Sequence, residues 1–486
     1  MVCMQKQRRP GWDQVRQTGE YIKVQRAQLL MSVRGLQPDL ALQRFYGDMS
    51  SLCSRPEAFV GPSHLNAVIG AVAKAWTLGW GRLAQHEQQQ ARHHMLAFLT
   101  EMLLRLQPLM PEVEERQVAN ILWSLAKLGM KPDVLVPGMT DSLAQQFMTN
   151  IDVATGQGFS NVLVACAKLQ LNPCQGELVK AICARLTAAN VSSFNAQAVA
   201  NILHSLATLP AAAPSDKVLD ALCKRFGALL KSRQAAELPN AQTIANTVWA
   251  LSDLKYAPAD ELAMSMVGRM VTLCRLPGQQ PTSQAISNAL LACAELGVPV
   301  KQADIDSLVS FLLILNWHQI DQQYYGNTAW SVAVLGRLRQ EQFALLLDQL
   351  YAVSFSQGEF SQLEGSVQRL GQLYQALDWL QPPPSAPAHQ HSAWSSLQGK
   401  LHRLGLRPLP DKPSFFGSKM LYAALKQLQL SFKAKVCIQN YWADAVLESK
   451  SIEAQAIILR MGKPSYIRNA GSAPILLVAP SSVEGV

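Results

Sequence analysis

One nine-residue segment, opening on asparagine and occurring six times between residues 120 and 335, limits what this chain can fold into more than any other feature. The copies begin Asn120-Ile-Leu-Trp, Asn161-Val-Leu-Val, Asn201-Ile-Leu-His, Asn246-Thr-Val-Trp, Asn288-Ala-Leu-Leu and Asn327-Thr-Ala-Trp, and each closes on leucine eight residues after its asparagine. Successive asparagines stand 41, 40, 45, 42 and 39 residues apart. The first five are followed at offsets of 12, 12, 13, 12 and 11 by Pro132, Pro173, Pro214, Pro258 and Pro299. A frame repeated at this period belongs to stacked arrays, in which one supersecondary unit cannot bury its own apolar face and its neighbours do so for it.

The local pattern predicts a helical hairpin per repeat. Val118, Leu122, Leu125 and Leu128 share one stripe of a helix, the proline ends that helix, and a second amphipathic stretch such as Leu262-Ala-Met-Ser-Met-Val-Gly-Arg-Met270 follows. Ala126, Ala167, Ala207, Ser252, Ala294 and Ala333 form one small-residue slot that lets neighbouring helices approach closely. Asn66 to Trp76 reads as a degenerate first copy, 54 residues upstream and out of register by one or two positions.

Composition agrees with a mostly α chain: 49% of residues are hydrophobic, 16% are charged, and Ala, Leu and Gln recur throughout. The predicted organisation is a basic N-terminal segment of targeting character (1–60), a helical-hairpin array (61–378), a Pro-rich linker (379–398) and a small α/β domain (399–486). In the last part, residues 419–430 read as helix, and 436–447, 456–460 and 475–478 as strand. Of the formal charge of +9, residues 1–60 carry +4 and 390–486 carry +7, which leaves −2 for the stretch between. Bulk charge therefore does not hold a polyanion along the array.

Several function classes are excluded by what the residues lack. No Walker loop, GxGxxG, GxSxG, HExxH or kinase set occurs, so no nucleotide cofactor and no catalytic residue is expected. His86, His93 and His94 fall on one side of a predicted helix without a fourth ligand at metal spacing, so no metal is expected. The nine cysteines show no CxxC pair and read as buried free thiols of a reducing compartment. Apolar runs stay far below the roughly 18 residues that a membrane span needs.

The unit Asn-x-x-Trp-[Ser/Ala]-Leu-[Ala/Ser]-x-Leu with its following proline, best matched over 120–132 and 246–258, resembles the octotricopeptide repeat of green algal organelle proteins. It is more distantly similar to the leucine-rich part of FAST-kinase-domain proteins, a name that implies no kinase here. The resemblance implies an array that binds single-stranded RNA in a chloroplast or mitochondrion and supports transcript processing, stability or translation. Such families often end in a RAP domain, and the layout from Tyr441-Trp-Ala-Asp444 through Gly462-Lys-Pro464-Ser-Tyr466 is similar to one. That fold resembles a nuclease core, whose metal chemistry needs clustered carboxylates. Here Leu459-Arg460-Met461 stands where the acidic pair is usual, and only Asp444 remains suitably placed, so the chain is read as a binding protein and not an enzyme. The alternative is a protein-binding solenoid of armadillo or HEAT type.

Within the array, Arg185, Arg225 and Arg269 follow their repeat asparagines by 24, 24 and 23 residues. Stacked, they form a ladder for successive phosphates, or else each sits solvated in a last helical turn against the helix dipole. The residue before each closing leucine changes freely, as Lys127, Lys168, Thr208, Asp253, Glu295 and Val334, which suits either base readout or a merely solvated face. The repeated Asn120, Asn161, Asn201, Asn246, Asn288 and Asn327 are read chiefly as structural, bonding the neighbouring hairpin, with ligand contact as the other option. Trp123, Trp249 and Trp330 either stack on bases or pack, in a slot that elsewhere holds Val164, His204 and Leu291.

Overall fold

The computed structural model describes residues 12–315 apart from positions 36, 56–57, 59, 80, 82, 210–213 and 299; beyond them it describes a few helical positions between 327 and 395 and the backbone of three strands between 432 and 459. Helix dominates the described residues, and the chain divides into two compact units, Met1–Phe226 and Gly227–Val486.

The first unit is a stack of hairpins. They are α1 (Trp12–Ser32) with α2 (Pro38–Ser54), α3 (Pro62–Gly79) with α4 (Gln85–Leu106), and α5 (Glu115–Leu128) with the short α6 (Pro132–Leu135) and α7 (Met139–Thr149). Next come α8 (Gly156–Leu169) with α9 (Glu177–Arg185), the single turn α10 (Ala188–Val191), and α11 (Ala196–Thr208) with α12 (Asp216–Leu230), in whose last turns the boundary falls. First helices pack on first helices in the order α1, α3, α5, α8, α11, while α2 packs on α4, α4 on α6, and α7 on α9. In the second unit α13 (Ala241–Asp253) and α14 (Asp260–Cys274) precede α15 (Ser283–Leu296) and α16 (Gln302–Ile314), with α13 against α15 and α14 against α16.

Helices also occur ahead of residue 61, within the segment 1–60 set apart in the sequence. A hairpin already spans 12–54, α1 packs on α3, and Thr18, Ile22 and Leu29 of α1 and Val33 just after it are buried. Neither α1 nor α2 carries the asparagine frame, and the exposed positions of α1 mix polar, charged and apolar residues, so its narrow buried stripe did not stand out from the sequence.

Capping explains where most of the first helices start and stop. Thr155, Asn195, Asn240 and Thr282 each accept a hydrogen bond from the backbone N–H three residues on, at 3.2, 2.8, 2.9 and 3.2 Å, which satisfies one otherwise unpaired donor of the first turn. At the other end, Gly129, Gln170, Lys255 and Gly297 stand nine residues after their asparagines with φ of 68, 51, 57 and 66°. The next N–H in each case reaches back five residues, as Met130 to Leu125, Leu171 to Cys166, Tyr256 to Leu251 and Val298 to Cys293. This left-handed cap is what ends the helix. After the first two of these caps the proline three positions later opens the next element, Pro132 at α6 and Pro173 at the turn before α9. Second helices are less uniform than expected: Gly138, with φ 75°, separates α6 from α7, and three successive left-handed residues, Cys174, Gln175 and Gly176, precede α9.

At the C-terminal end, β1 (Phe432–Ile438), β2 (Tyr441–Leu447) and β3 (Ile457–Leu459) form an antiparallel sheet in that order, with Ile438 opposite Tyr441 and Val446 opposite Ile458. The stretch 436–447, read as one strand segment, therefore belongs to two paired strands with only 439 and 440 between them. The expected helix at 419–430, the strand at 475–478 and most of the linker lie outside the described residues.

Candidate functional site

At 100° per residue, the positions four before the repeat asparagine, the asparagine itself, and three and seven after it fall within a narrow arc of a helix. In α5, α8, α11, α13 and α15 the rest of the surface is largely packed against neighbours, and this arc stays accessible. It comprises Arg116, Asn120, Trp123 and Lys127 in α5; Gln157, Asn161, Val164 and Lys168 in α8; and Gln197, Asn201, His204 and Thr208 in α11. In the second unit it comprises Gln242, Asn246, Trp249 and Asp253 in α13, and Gln284, Asn288, Leu291 and Glu295 in α15. The asparagine and the tryptophan slot are half-buried every time, and the outer two positions are exposed except at Glu295, which is half-buried. Each first helix thus offers an amide or cation, an amide, a half-buried side chain that is a ring in α5, α11 and α13, and a variable group. The glutamine four residues before the asparagine was missed in the sequence, although its signal was plain: Gln157, Gln197, Gln242, Gln284 and also Gln323 keep that spacing.

Hydrogen bonds between first helices set how these arcs align. Asn201 Nδ2 donates to Ser160 Oγ at 3.2 Å, and Ser252 Oγ donates to Glu295 Oε2 at 2.5 Å. Both join a position of the later helix to the position one lower in the earlier repeat. Gln117 Nε2, three residues before Asn120, donates to Ser63 Oγ at 2.8 Å. The same rule then puts Ala67, not Asn66, at the asparagine position of α3, Gly70 in the tryptophan slot and Lys74 at the variable position. Gly70 agrees, since a Cβ there would lie 3.8 Å from Ser124 Oγ. Lys74 is therefore the counterpart of Lys127 and Lys168, which the irregular spacing of the first copy had hidden.

The three lysines are exposed. None pairs with a carboxylate among the described residues. Lys127 Nζ lies over the Trp123 ring, 4.0 Å from its centroid, so the variable position and the tryptophan slot meet at an i, i+4 contact. The Lys127 ammonium is held below its ordinary pKa, first by partial desolvation where its stem lies on the protein and then by the like charges of Lys168 and Lys74. At the remaining variable positions, Thr208 Oγ1 donates to His204 O at 3.0 Å within its own helix, Asp253 is exposed, and Glu295 receives the bond from Ser252.

The arginines have a different setting. Arg225 Nε donates to Phe194 O at 2.7 Å and Arg269 Nε to Pro239 O at 3.5 Å. Each accepting residue immediately precedes the N-cap of the first helix in its own hairpin, Asn195 for α11 and Asn240 for α13. Gln146 Nε2 makes the equivalent bond to Val113 O at 2.6 Å, just before Glu114 of α5. Arg185 pairs with Asp152, three residues ahead of the α8 cap Thr155. All three arginines are half-buried; Arg185 sits in the last turn of α9, whereas Arg225 and Arg269 lie before the last turn of their helices, so the picture of last-turn side chains does not hold for those two. Each is a strap that closes its hairpin. Gln146, which no charge pattern marks, is the strap that the sequence reading overlooked.

The asparagines divide in role. Asn201 bonds the neighbouring hairpin as expected, whereas Asn246 Oδ1 accepts from Gln242 Nε2 at 2.7 Å along the accessible arc. Asn327 is buried at 4% exposure and its carbonyl accepts from Ser331. His94 Nδ1 lies 3.3 Å from Gln43 Nε2, and the described residues hold no group of three His, Cys, Asp or Glu side chains able to bind a metal ion. The seven described cysteines are free thiols, and burial pushes Cys166, Cys223 and Cys293 up to about 12. No described helix is long and apolar enough to cross a membrane. No family model matches the sequence, and no curated protein matches it either.

Proposed function

We propose that this chain is an RNA-binding helical-repeat factor of organelle RNA metabolism, acting in chloroplast or mitochondrial transcript processing, stability or translation. The observation that carries the reading is the four-position arc, accessible on five first helices and combining amides, half-exposed rings and a freely varying side chain. Asn and Gln amides offer paired donors and acceptors to base edges, and a ring with one open face offers a stacking platform. Variation at the outer position inside a constant frame suits readout of different bases by different repeats. The reading assigns 399–486 to a RAP-like α/β domain, with which three antiparallel strands are compatible, and gives it no catalytic role.

A protein-binding groove of armadillo or HEAT type is favoured by one specific observation, the acidic outer positions Asp253 and Glu295 of the second unit. Ultraviolet crosslinking of the full chain to a random pool of 20-nucleotide RNA separates the two readings. Adducts on the peptides that carry Trp123, His204 and Trp249 are expected. An absence of RNA adducts, or adducts confined to other surfaces, overturns the RNA reading and leaves the protein-binding one.

A further inference from the structure

Four cations stand on the accessible arcs of the first unit, Lys74 in α3, Arg116 and Lys127 in α5 and Lys168 in α8, and no carboxylate occupies any arc position there. The bonds from Gln117 to Ser63 and from Asn201 to Ser160 align α3 with α5 and α8 with α11 to within one position, and α5 packs on α8 between them. Packed helices sit roughly 8–10 Å apart, so Lys74, Lys127 and Lys168 form a row across three helices. Lys127 lies over the Trp123 ring, and no ion pair neutralises any of the four charges among the described residues. Arg225 and Arg269, by contrast, are held in hairpin straps.

We infer that Lys74, Lys127 and Lys168 are the phosphate contacts of the first unit, and that the backbone of single-stranded RNA runs across α3, α5 and α8 along this row. The inference rests on the RNA reading above and narrows it to one row of residues. The lowered pKa of Lys127, in which Lys168 and Lys74 both take part, agrees with three like charges facing one another without neutralisation. A polyanion relieves that repulsion. RNA fits the row better than an acidic polypeptide does, because the lysines are interleaved with flat and amide groups: Lys127 lies on the Trp123 ring, and Asn120 and Asn161 open onto the same arcs. A base can stack or pair there beside its phosphate, and a glutamate side chain has no such face.

The test is fluorescence anisotropy of the full-length chain with a labelled random pool of 20-nucleotide RNA, titrated between 50 and 300 mM salt. It compares the native protein with K74Q/K127Q/K168Q, whose substitutions are exposed and leave the core untouched. Each phosphate contact with a single strand contributes about −0.7 to the slope of log affinity against log salt. The triple variant is expected to flatten the slope by about two and to weaken binding about a hundredfold at 0.1 M salt, with an unchanged melting temperature. A native protein that binds the pool while the variant keeps the same slope overturns the row and leaves the RNA reading standing. A native protein that binds no RNA at all overturns both. Equally tight, equally lysine-dependent binding of labelled poly-glutamate assigns the row to an acidic protein partner and overturns the RNA assignment.

Discussion

The first and second units build the same helix face and charge it oppositely. In the first, the outer positions are Lys74, Lys127, Lys168 and Thr208; in the second they are Asp253 and Glu295. The scaffold beneath is common to both: a side-chain N-cap starts α11 and α13, a left-handed residue ends α5 and α15, and arginine straps close hairpins in both units. Repeat architecture separates the two tasks in this way because caps and straps face the neighbouring segments, whereas the outer arc faces solvent and tolerates any side chain. Two basic rows that look alike in sequence thus have different work, the arginines holding hairpins shut and the lysines remaining open to a ligand.

The sharpest break of this comparison is the removal of a strap. Arg225→Ala in the first unit and Arg269→Ala in the second each leave the carbonyl of a buried residue without its donor, and each is expected to cost about 1–3 kcal/mol in denaturant unfolding. The salt slope of RNA binding is expected to stay at the native value in both variants. A slope that falls as much as in the lysine variant would reassign the arginines to the ligand. Reversing charge in the second unit comes next. Asp253→Lys is expected to strengthen binding of the random RNA pool about fivefold at 0.1 M salt, one added contact's worth. Glu295→Lys is expected to add a similar gain and, unlike Asp253→Lys, to lower stability, because it also breaks the bond from Ser252. No gain from either substitution confines RNA to the first unit.

Caps probe the shared scaffold. Asn195→Ala and Asn240→Ala are each expected to lose about 1 kcal/mol in thermal unfolding, with equal effect in the two units. Unequal losses would show that the units differ in more than charge. The smallest effect is on Lys127 itself. Its lowered folded pKa means that the folded chain binds this proton less readily than the unfolded chain, so this group's small penalty is present below the folded value and is relieved as pH rises towards the ordinary lysine range. Lys168→Gln is expected to move the Lys127 titration upward, read by NMR of carbon-13-methylated lysines. An unchanged titration would mean that the two ammonium groups do not feel each other.

Much of the fold was legible in the sequence because a helix repeats every 3.6 residues and a stacked repeat every forty or so, and both periods survive substitution. The asparagine frame, its prolines and the stripe through Val118, Leu122 and Leu125 sufficed to predict the hairpins that the structure describes between 115 and 314. The α1/α2 hairpin escaped because it lacks the asparagine frame and α1 buries few residues, here Thr18, Ile22 and Leu29. The candidate site was half legible. Asn120, Lys127 and Lys168 lie where the spacing put them, and the row of glutamines was available to the same arithmetic.

By itself, then, the sequence determined the repeat unit, its two helices and which residues of the first helix share a face, since these follow from dihedral preferences and local periodicity. Only the tertiary structure decided which residue of one hairpin lies beside which residue of the next, and so that Lys74 joins Lys127 and Lys168 although its own repeat lacks the asparagine at that position. It alone also decided that Arg225 and Arg269 reach back about thirty residues to a backbone carbonyl. A long flexible side chain has many partners within its length, and which of them it meets depends on packing that the linear spacing of residues does not encode.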